Sequence, residues 1–156
     1  MKVSEVLSTG YALISIDQMF YKVHYPTQFW YVKMKYADND ADIFKYSQFA
    51  VKDGAVVMLP HVNYSAKTSL RKMDGEDVIQ QGLSIIKGIG EKAAETIEEE
   101  RRKGVFKSYD DFYDRCKGRS VTKGVIKILK EQGALEFNKN KYMSRVVKYN
   151  STLMAR

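Results

Sequence analysis

The chain has 156 residues, of which 44% are hydrophobic and 12% aromatic, and it carries a net charge of +7. This length and composition predict a globular protein of one domain or two small ones, and exclude a disordered tail. The sequence has no run of about 18 apolar residues and no apolar signal core, so we expect neither a membrane span nor secretion. The single cysteine, Cys116, excludes an internal disulfide and fits a reducing cytoplasm.

The positive charge is concentrated at the C-terminal end. Residues 115–156 hold eleven Lys and Arg against two acidic residues, a net charge of +9, whereas residues 91–114 carry −3 and residues 1–75 carry +2. A one-sided basic region attracts phosphate backbones or anionic surfaces. A solvated helical face explains the same distribution equally well, so charge by itself does not identify a partner.

The first third of the chain is predicted to be helical. Apolar residues recur with helical spacing and indicate one long helix or two over residues 5–36. Pro26 marks either a helix end or the first turn of a second helix. The polar run 38–42 is typical of a helix cap and predicts a further helix over about 41–51, which ends before Gly54.

A small β element is predicted over residues 55–82. Residues 56–59 are apolar and fit a short buried strand. Asp74-Gly75 lies between two strand-like runs, 69–72 and 78–80. Because Asp-Gly between such runs is a strong hairpin signal, we expect two antiparallel strands here.

The helical pattern then returns to the end of the chain. Further helices are expected over about 83–86, 91–103, 109–115, 121–132 and 139–150. The fold class is therefore mainly α, an α+β fold with the small β element between two helical segments. The expected parts are a helical segment 1–54, the β element 55–82, a second helical region 83–137 and a basic tail 138–156.

The most informative stretch surrounds Gly88-Ile89-Gly90. A short apolar helix leads into this turn, and a second helix starts directly after it. The glycines free the backbone for a tight turn, and Ile89 between them would plug the core. The turn would present backbone N–H groups near a helix N-terminus, which suits a phosphate oxygen, and Lys87 and Lys92 add positive charge.

This pattern is a helix-hairpin-helix, which grips the DNA backbone independently of base sequence. The assignment rests on the coincidence of both glycines, the central isoleucine, the preceding apolar helix and the following Ala-Ala-x-x-Ile. Two alternatives are a helix–helix turn that binds nothing and a glycine-rich nucleotide loop. The nucleotide loop is disfavoured because we expect no parallel strand before the turn and find no third glycine after it.

A second, degenerate copy is predicted over residues 120–135. It combines a helix with an apolar face, Gly133 at the helix end and an apolar closure, and its lysines lie on another face at three- and four-residue spacing. Paired hairpins would grip both strands of a duplex, and a plain packing helix with a basic solvent face is the alternative. The candidate DNA-binding residues are Lys87, Gly88, Ile89, Gly90, Lys92, Lys123, Lys127 and Lys130.

Three blocks of sequence, in order, carry a resemblance to a known family. The blocks are Tyr11–Ser15 with Tyr21–Pro26 and Phe29, then Val57–Ser65, then Gly82–Ile97 with Phe106–Phe112 and Gly133–Leu135. They are similar to a fingers motif, to a Leu-Pro-Pro-Asp-x-Asn-x-Ser segment and to a helix-hairpin-helix region. Over about residues 5–137 the chain resembles the bacterial replicative DNA polymerase III alpha subunits, the family C polymerases.

The resemblance implies a helical segment at the end of the fingers, a small β element and tandem hairpins that hold duplex or primer–template DNA. The catalytic palm of the family lies upstream of the matched region, so no catalytic residue, metal ligand or cofactor is assigned to this chain. Where the family has Phe-x-Lys-x-His, this chain has Val3-Ser4-Glu5-Val6-Leu7. The basic and imidazole groups of a fingers-type nucleotide contact are therefore replaced.

Two further patterns imitate functional sites. The carboxylates of residues 38–42 are spaced like ligands of two Mg²⁺ ions, but the run follows the residues 21–26 block, whereas the family palm precedes it. A helix cap is the favoured interpretation. The aromatic run 29–31 could stack on bases, although core packing is favoured. Two histidines and one cysteine are too few for an ordinary zinc site.

Three functions remain open at this stage. The first is a non-catalytic DNA-binding module of replication. The second is a subunit of a split polymerase that a palm-containing chain completes, so that polymerase activity would belong only to the larger assembly. The third is a protein of a virus or mobile element that interacts with host replication proteins. A cytoplasmic location without a membrane partner is expected for all three.

Overall fold

The computed structural model describes residues 2–118 and 120–154. It is mainly helical and has one small three-stranded sheet, which confirms the predicted fold class. Within the described ranges, no helix combines the length and the apolar character that crossing a bilayer requires.

The N-terminal third forms three helices, α1 (Val3–His24), α2 (Pro26–Lys35) and α3 (Asp40–Lys52). Pro26 is the first residue of α2, a position where its missing N–H breaks no helical hydrogen bond, so the predicted helical stretch is divided in two. The side chain of Asn39 accepts a hydrogen bond of 2.9 Å from the Asp42 N–H at the start of α3. The predicted helix cap is thus confirmed.

Trp30 anchors α2 to the rest of the protein. Trp30 is 6% exposed, and its indole Nε1–H donates to Asp53 Oδ2 over 2.8 Å. The centroid of its ring lies 5.5 Å from the centroid of the Phe49 ring. It shares a core cluster with Ala50 and Ile79. Core packing, the favoured interpretation of the aromatic run, is therefore confirmed for Trp30.

α1 differs from every other long helix because none of its residues is buried. It contacts α2, but most of its large apolar side chains face solvent. The most exposed are Val3, Val23, Tyr11, Met19, Ile16 and Leu13. The apolar periodicity that predicts this helix therefore does not correspond to a core-facing side within the chain.

The sheet contains β1 (Val57–Met58), β2 (Ser69–Met73) and β3 (Glu76–Gln80) in the order β1-β3-β2. β2 and β3 are antiparallel and are joined by the two-residue loop Asp74-Gly75. Both loop residues have positive φ, 51° and 87°, as expected of the tight turns that match the strand twist. The predicted Asp-Gly hairpin is confirmed.

β1 and β3 are parallel, which corrects one expectation. We expected no parallel strand before the glycine turn, yet β3 belongs to a parallel pair and ends at Gln80. The long connection between β1 and β2 allows this pairing, and the two-residue β1 gave little signal of it. A short 3-10 helix (Leu83–Ile85) separates β3 from Gly88, so the arrangement is still not a strand–loop–helix nucleotide site.

The C-terminal half adds α4 (Glu91–Arg102), α5 (Tyr109–Cys116) and α6 (Lys123–Glu131) to the 3-10 helix. These elements surround the largest core cluster of the protein. Its fully buried members are Val62, Leu83, Ile97, Phe106, Phe112, Val121, Leu129 and Ala134. Cys116 belongs to the same core, and burial raises the pKa of its thiol to about 11.

The helix predicted over residues 139–150 is wrong beyond Met143. A short α7 (Lys139–Met143) is followed by extended chain, and α8 (Ser151–Met154) comes after it. The Val147 N–H donates to Val57 O over 2.8 Å, and Arg145 O accepts from the Leu59 N–H over 3.0 Å. Pairing with the open edge of β1 satisfies its backbone groups, and this tertiary contact outweighs local helix propensity.

Candidate nucleic-acid interface

Residues 83–102, termed hairpin 1, place the glycine turn against a neighbouring helix. Gly88 has a φ of +95°, a left-handed conformation that favours glycine. A Cβ at this position would lie 2.8 Å from Ile128 Cδ1 of α6. The positive φ therefore requires glycine at position 88, and a Cβ there would also displace the tip of the Ile128 side chain.

Ile89 anchors the turn to the hydrophobic core. Its side chain is 5% exposed and belongs to the same core cluster as Ala93 and Ile97 of α4. Its N–H donates to Ile86 O over 3.0 Å, which closes the preceding turn. Ile89 is thus a buried support for the turn, while Gly88 and Gly90 on either side are exposed.

The turn leaves backbone donors unused at the start of α4. Gly90 is the N-cap and offers no side-chain acceptor, and its carbonyl accepts from the N–H groups of Ala93 and Ala94. Among residues 2–118 and 120–154, no hydrogen bond uses the N–H groups of Gly88, Gly90, Glu91 and Lys92. Exposed N–H groups at a helix N-terminus attract anions, since the helix dipole adds partial positive charge.

Two of the predicted lysines flank this turn. Lys87 directly precedes it and Lys92 lies in the first turn of α4, and both are exposed. Glu91 also lies in the first turn of α4, where it is exposed. The turn therefore combines backbone donors with two mobile positive side chains and one carboxylate.

The unit termed hairpin 2 consists of α5, residues 117–122 and α6, of which Arg119 lies outside the described residues. The second, degenerate copy of the motif is predicted over residues 120–135, which overlap the later part of this unit. The helix predicted over 121–132 is observed as α6, which begins at Lys123. The Thr122 hydroxyl caps it by accepting from the Val125 N–H over 3.4 Å, and the Gly118 N–H donates to Val121 O over 3.2 Å.

The lysines of α6 lie on its exposed side. Lys123, Lys127 and Lys130 are exposed, whereas Ile126 and Leu129 of the same helix are buried. Lys127 Nζ lies 3.8 Å from a Glu131 carboxylate oxygen, but both side chains are largely solvated and such pairs contribute little. The expected separation of an apolar and a basic face is present.

The two hairpins form one packed unit. Ile128 of α6 lies directly against Gly88, and residues of both hairpins belong to one core cluster. All eight predicted residues therefore belong to two adjoining hairpins. Seven of them are exposed, and Ile89 is the buried exception.

Two arginines of this region, Arg101 and Arg145, serve the fold instead of the surface. The guanidinium of Arg101 donates to Val62 O over 3.1 Å and to Ser65 O over 2.6 Å. That of Arg145 donates to Pro60 O over 3.0 Å and to Gln132 O over 2.7 Å. Burial lowers the pKa of both groups. Lysines thus supply the exposed positive charge of the predicted site, a distinction that counting charges does not reveal.

His61 supports the segment that follows α6 of hairpin 2. Its ring Nδ1 accepts from the Asn63 N–H over 3.0 Å, so its proton lies on Nε2, which donates to Glu136 O over 2.7 Å. The ring is 1% exposed, and burial lowers its pKa to about 4. His61 is therefore neutral at pH 7 and acts as a fixed donor and acceptor pair.

One feature of hairpin 2 was not predicted from the sequence. A groove of about 310 Å³ lies between α5 and α6, and is lined by Tyr109, Tyr113, Lys123, Ile126, Lys127 and Lys130. The two tyrosines are one helical turn apart, with ring centroids separated by 6.1 Å. Their four-residue spacing was visible in the sequence, but the facing lysines belong to another helix.

The chain matches the model of one protein family. Residues 54–142 match the family described as the helix-hairpin-helix motif. The matched range includes the sheet, both hairpins and most of α7. It leaves out α1, α2 and α3.

The relatives that the chain resembles are far longer than it is. It is 34% identical over 152 residues to the DNA polymerase III subunit alpha of Aquifex aeolicus, covering 95% of this chain and 13% of that protein. It is 36% identical over 131 residues to the same subunit of Thermus aquaticus, covering 83% of this chain and 10% of that protein. It is 34% identical over 131 residues to the same subunit of Vibrio cholerae, covering 83% of this chain and 11% of that protein.

These matches agree with the sequence-based resemblance over nearly the whole chain. The chain spans about a tenth of the length of these curated relatives. The family model spans more than half of the chain and contains the turn at Gly88 and the helix that packs beneath it. The chain therefore belongs to the helix-hairpin-helix family.

Proposed function

We propose that this chain is a non-catalytic DNA-binding module of replication that grips the backbone of duplex or primer–template DNA through both hairpins. The observation that carries the proposal is the turn of hairpin 1. Its exposed N–H groups at Gly88 and Gly90 have no acceptor among the described residues and stand beside exposed Lys87 and Lys92. A phosphate oxygen satisfies such donors without reading bases.

Hairpin 2 contributes mainly side-chain charge. Its three lysines lie on the exposed side of a helix that packs directly against Gly88. Two adjoining grips on one rigid core would bind successive phosphates of a duplex. Because each neutralised phosphate releases counterions, the affinity depends steeply on salt and weakly on base sequence.

The test is fluorescence anisotropy of labelled duplexes at several salt concentrations. The double variant Lys87→Gln/Lys92→Gln should bind more weakly, and the slope of log affinity against log salt should fall by about 0.9 for each phosphate that is no longer neutralised. The matched control Lys35→Gln/Lys52→Gln removes the same charge from exposed sites on α2 and α3. Equal weakening in both variants would contradict the proposal, because net charge alone would then explain binding.

A second candidate function is supported by α1. The 22 residues of this helix bury no side chain, although many are apolar, and such surfaces in soluble proteins mark interaction sites. A subunit of a split polymerase would cover this face with a palm-containing chain. Polymerase activity that arises only in a mixture with such a chain would support this function. Ile16→Lys/Phe20→Lys should then abolish assembly while duplex binding persists.

A further inference from the structure

We propose that the groove between α5 and α6 binds an unpaired nucleotide, whose base stacks on Tyr109 and Tyr113 while the lysines of α6 hold its phosphates. This inference rests on the proposed DNA binding and adds a second kind of substrate to it. The two hairpins together would grip paired DNA, and the groove of hairpin 2 would in addition take the strand where pairing ends.

The tyrosines supply the stacking surface. Tyr109 and Tyr113 lie one turn apart on α5, with their rings inclined by 26° and their centroids 6.1 Å apart. Tyr109 is 37% exposed, so its ring is not enclosed by the fold. The groove beside them has a volume of about 310 Å³, which exceeds that of a nucleobase. Every base has a flat aromatic face, so stacking here needs no particular sequence.

The opposite wall supplies the charge. Three of the six lining residues are lysines, and none is a carboxylate. Lys130 Nζ lies 5.4 Å from the Tyr109 ring centroid, and Lys117 Nζ lies 4.8 Å from that of Tyr113. Positive side chains therefore already lie over the faces of both tyrosine rings, and a stacking base would displace them towards the phosphates on either side of it.

An unpaired nucleotide fits this combination better than a duplex. Bases in a duplex are stacked on each other and show only their edges, whereas the tyrosine rings of the groove can stack only on the exposed face of a base. Hairpin 1 has no aromatic residue in its turn, so it offers nothing comparable. Both hairpins would thus contact the backbone of paired DNA, and only hairpin 2 would also stack an unpaired base.

The test compares labelled DNAs of three kinds: a blunt duplex, the same duplex with an unpaired thymidine tail at its 5′ or its 3′ end, and single-stranded oligothymidine. The wild-type chain should bind one tailed duplex about tenfold more tightly than the blunt one, the gain expected from one stacked base. Tyr109→Leu should remove this preference and leave blunt-duplex binding unchanged, whereas Tyr109→Phe should keep it. Tyr11→Leu, an exposed tyrosine on α1, is the matched control.

A second measurement needs no variant. A tail that carries 5-iodouridine should crosslink on irradiation to Tyr109 or Tyr113 of the wild-type chain, which peptide mapping would identify. Equal affinity for tailed and blunt duplexes, or crosslinks only outside the groove, would overturn the groove proposal while the duplex grip stands. Absence of binding to any of the three DNAs would overturn both proposals together.

Discussion

Hairpin 1 and hairpin 2 each consist of two helical elements joined by a short connection, but their second helices begin differently. Hairpin 1 turns on Gly88 at positive φ, and its N-cap Gly90 leaves the first N–H groups of α4 without a side-chain acceptor. Hairpin 2 begins α6 with Thr122, whose hydroxyl occupies the Val125 N–H, and carries its lysines along the helix. One copy of the motif thus offers backbone donors, and the other offers side-chain charge. The copies are therefore expected to respond differently to the same kind of change.

Lowering the pH should produce the largest loss of stability. It protonates His61, whose ring holds the segment that follows hairpin 2. The pKa of His61 is about 4 in the fold against 6.5 for a free histidine, so the unfolded chain binds the proton more tightly. The contribution of His61 to the free energy of unfolding is therefore fully present above pH 6.5. As the pH falls from 6.5 towards 4, the protein loses about 3 kcal/mol of this free energy.

Urea unfolding from pH 7 to pH 4 measures this loss. His61→Gln keeps an amide donor and acceptor but cannot titrate, so its stability should fall by about 3 kcal/mol less than that of the wild type over this range. His24→Gln, which changes an exposed histidine, should follow the wild-type curve. Parallel curves for wild type and His61→Gln would show that the buried ring does not control acid stability.

Gly88→Ala should have the next largest effect. Alanine at a φ of +95° is strained, and its Cβ would collide with Ile128 Cδ1, so we expect a loss of about 2 kcal/mol in the free energy of unfolding. Ile128→Ala in the same chain removes the collision but leaves the backbone strain. The double variant should therefore cost less than the sum of the two single ones, and strict additivity would argue against the packing of α6 beneath the turn.

Thr122→Ala removes the cap of hairpin 2 and should cost about 1 kcal/mol. Thr9→Ala is the control, because the Thr9 hydroxyl donates to a carbonyl within exposed α1 and caps nothing. Thermal unfolding should show a lower Tm for Thr122→Ala only. An equal shift in both variants would mean that the cap contributes no more than an ordinary surface threonine.

Gly90→Asp should have the smallest effect on stability and the opposite sign. No atom lies within 4 Å of a Cβ at Gly90, and its backbone is extended, so aspartate fits there and can cap α4 for a few tenths of a kcal/mol. Its carboxylate would also occupy the free N–H groups and repel phosphate, so duplex affinity should fall at least about tenfold.

Gly90→Asn separates the two contributions, since it caps without charge and should weaken binding less than Gly90→Asp. Anisotropy with the blunt duplex and thermal unfolding, measured on the same preparations, provide the comparison. Full duplex affinity in Gly90→Asp would remove hairpin 1 from the proposed interface.

The sequence predicts hairpin 1 well because its signals are local. Gly88, Ile89 and Gly90 specify a turn that the structure contains, and Asp74-Gly75 specifies the β-hairpin in the same way. Turns of this kind depend on a few adjacent residues whose allowed dihedral angles are known. Local chemistry was therefore sufficient for both.

Features that depend on the packing of distant segments were missed. The parallel pairing of β1 with β3 joins residues 22 positions apart, as in Val57 with Ile79, and no periodicity reports it. The tyrosine and lysine groove forms only when α5 and α6 pack. Arg101 and Arg145 likewise donate to backbone carbonyl groups from distant parts of the sequence, which only the folded chain brings next to them.

The return of the C-terminal segment to β1 has a consequence for how the chain folds. Residues 145–147 pair with residues 57–59, and the Gln48 side chain donates to Lys148 O across 100 positions of sequence. Such pairings require closure of long loops and form late. During synthesis, the outer edge of β1 therefore stays unpaired until residues 145–147 have left the ribosome. In that interval the emerging chain offers an open strand to its neighbours.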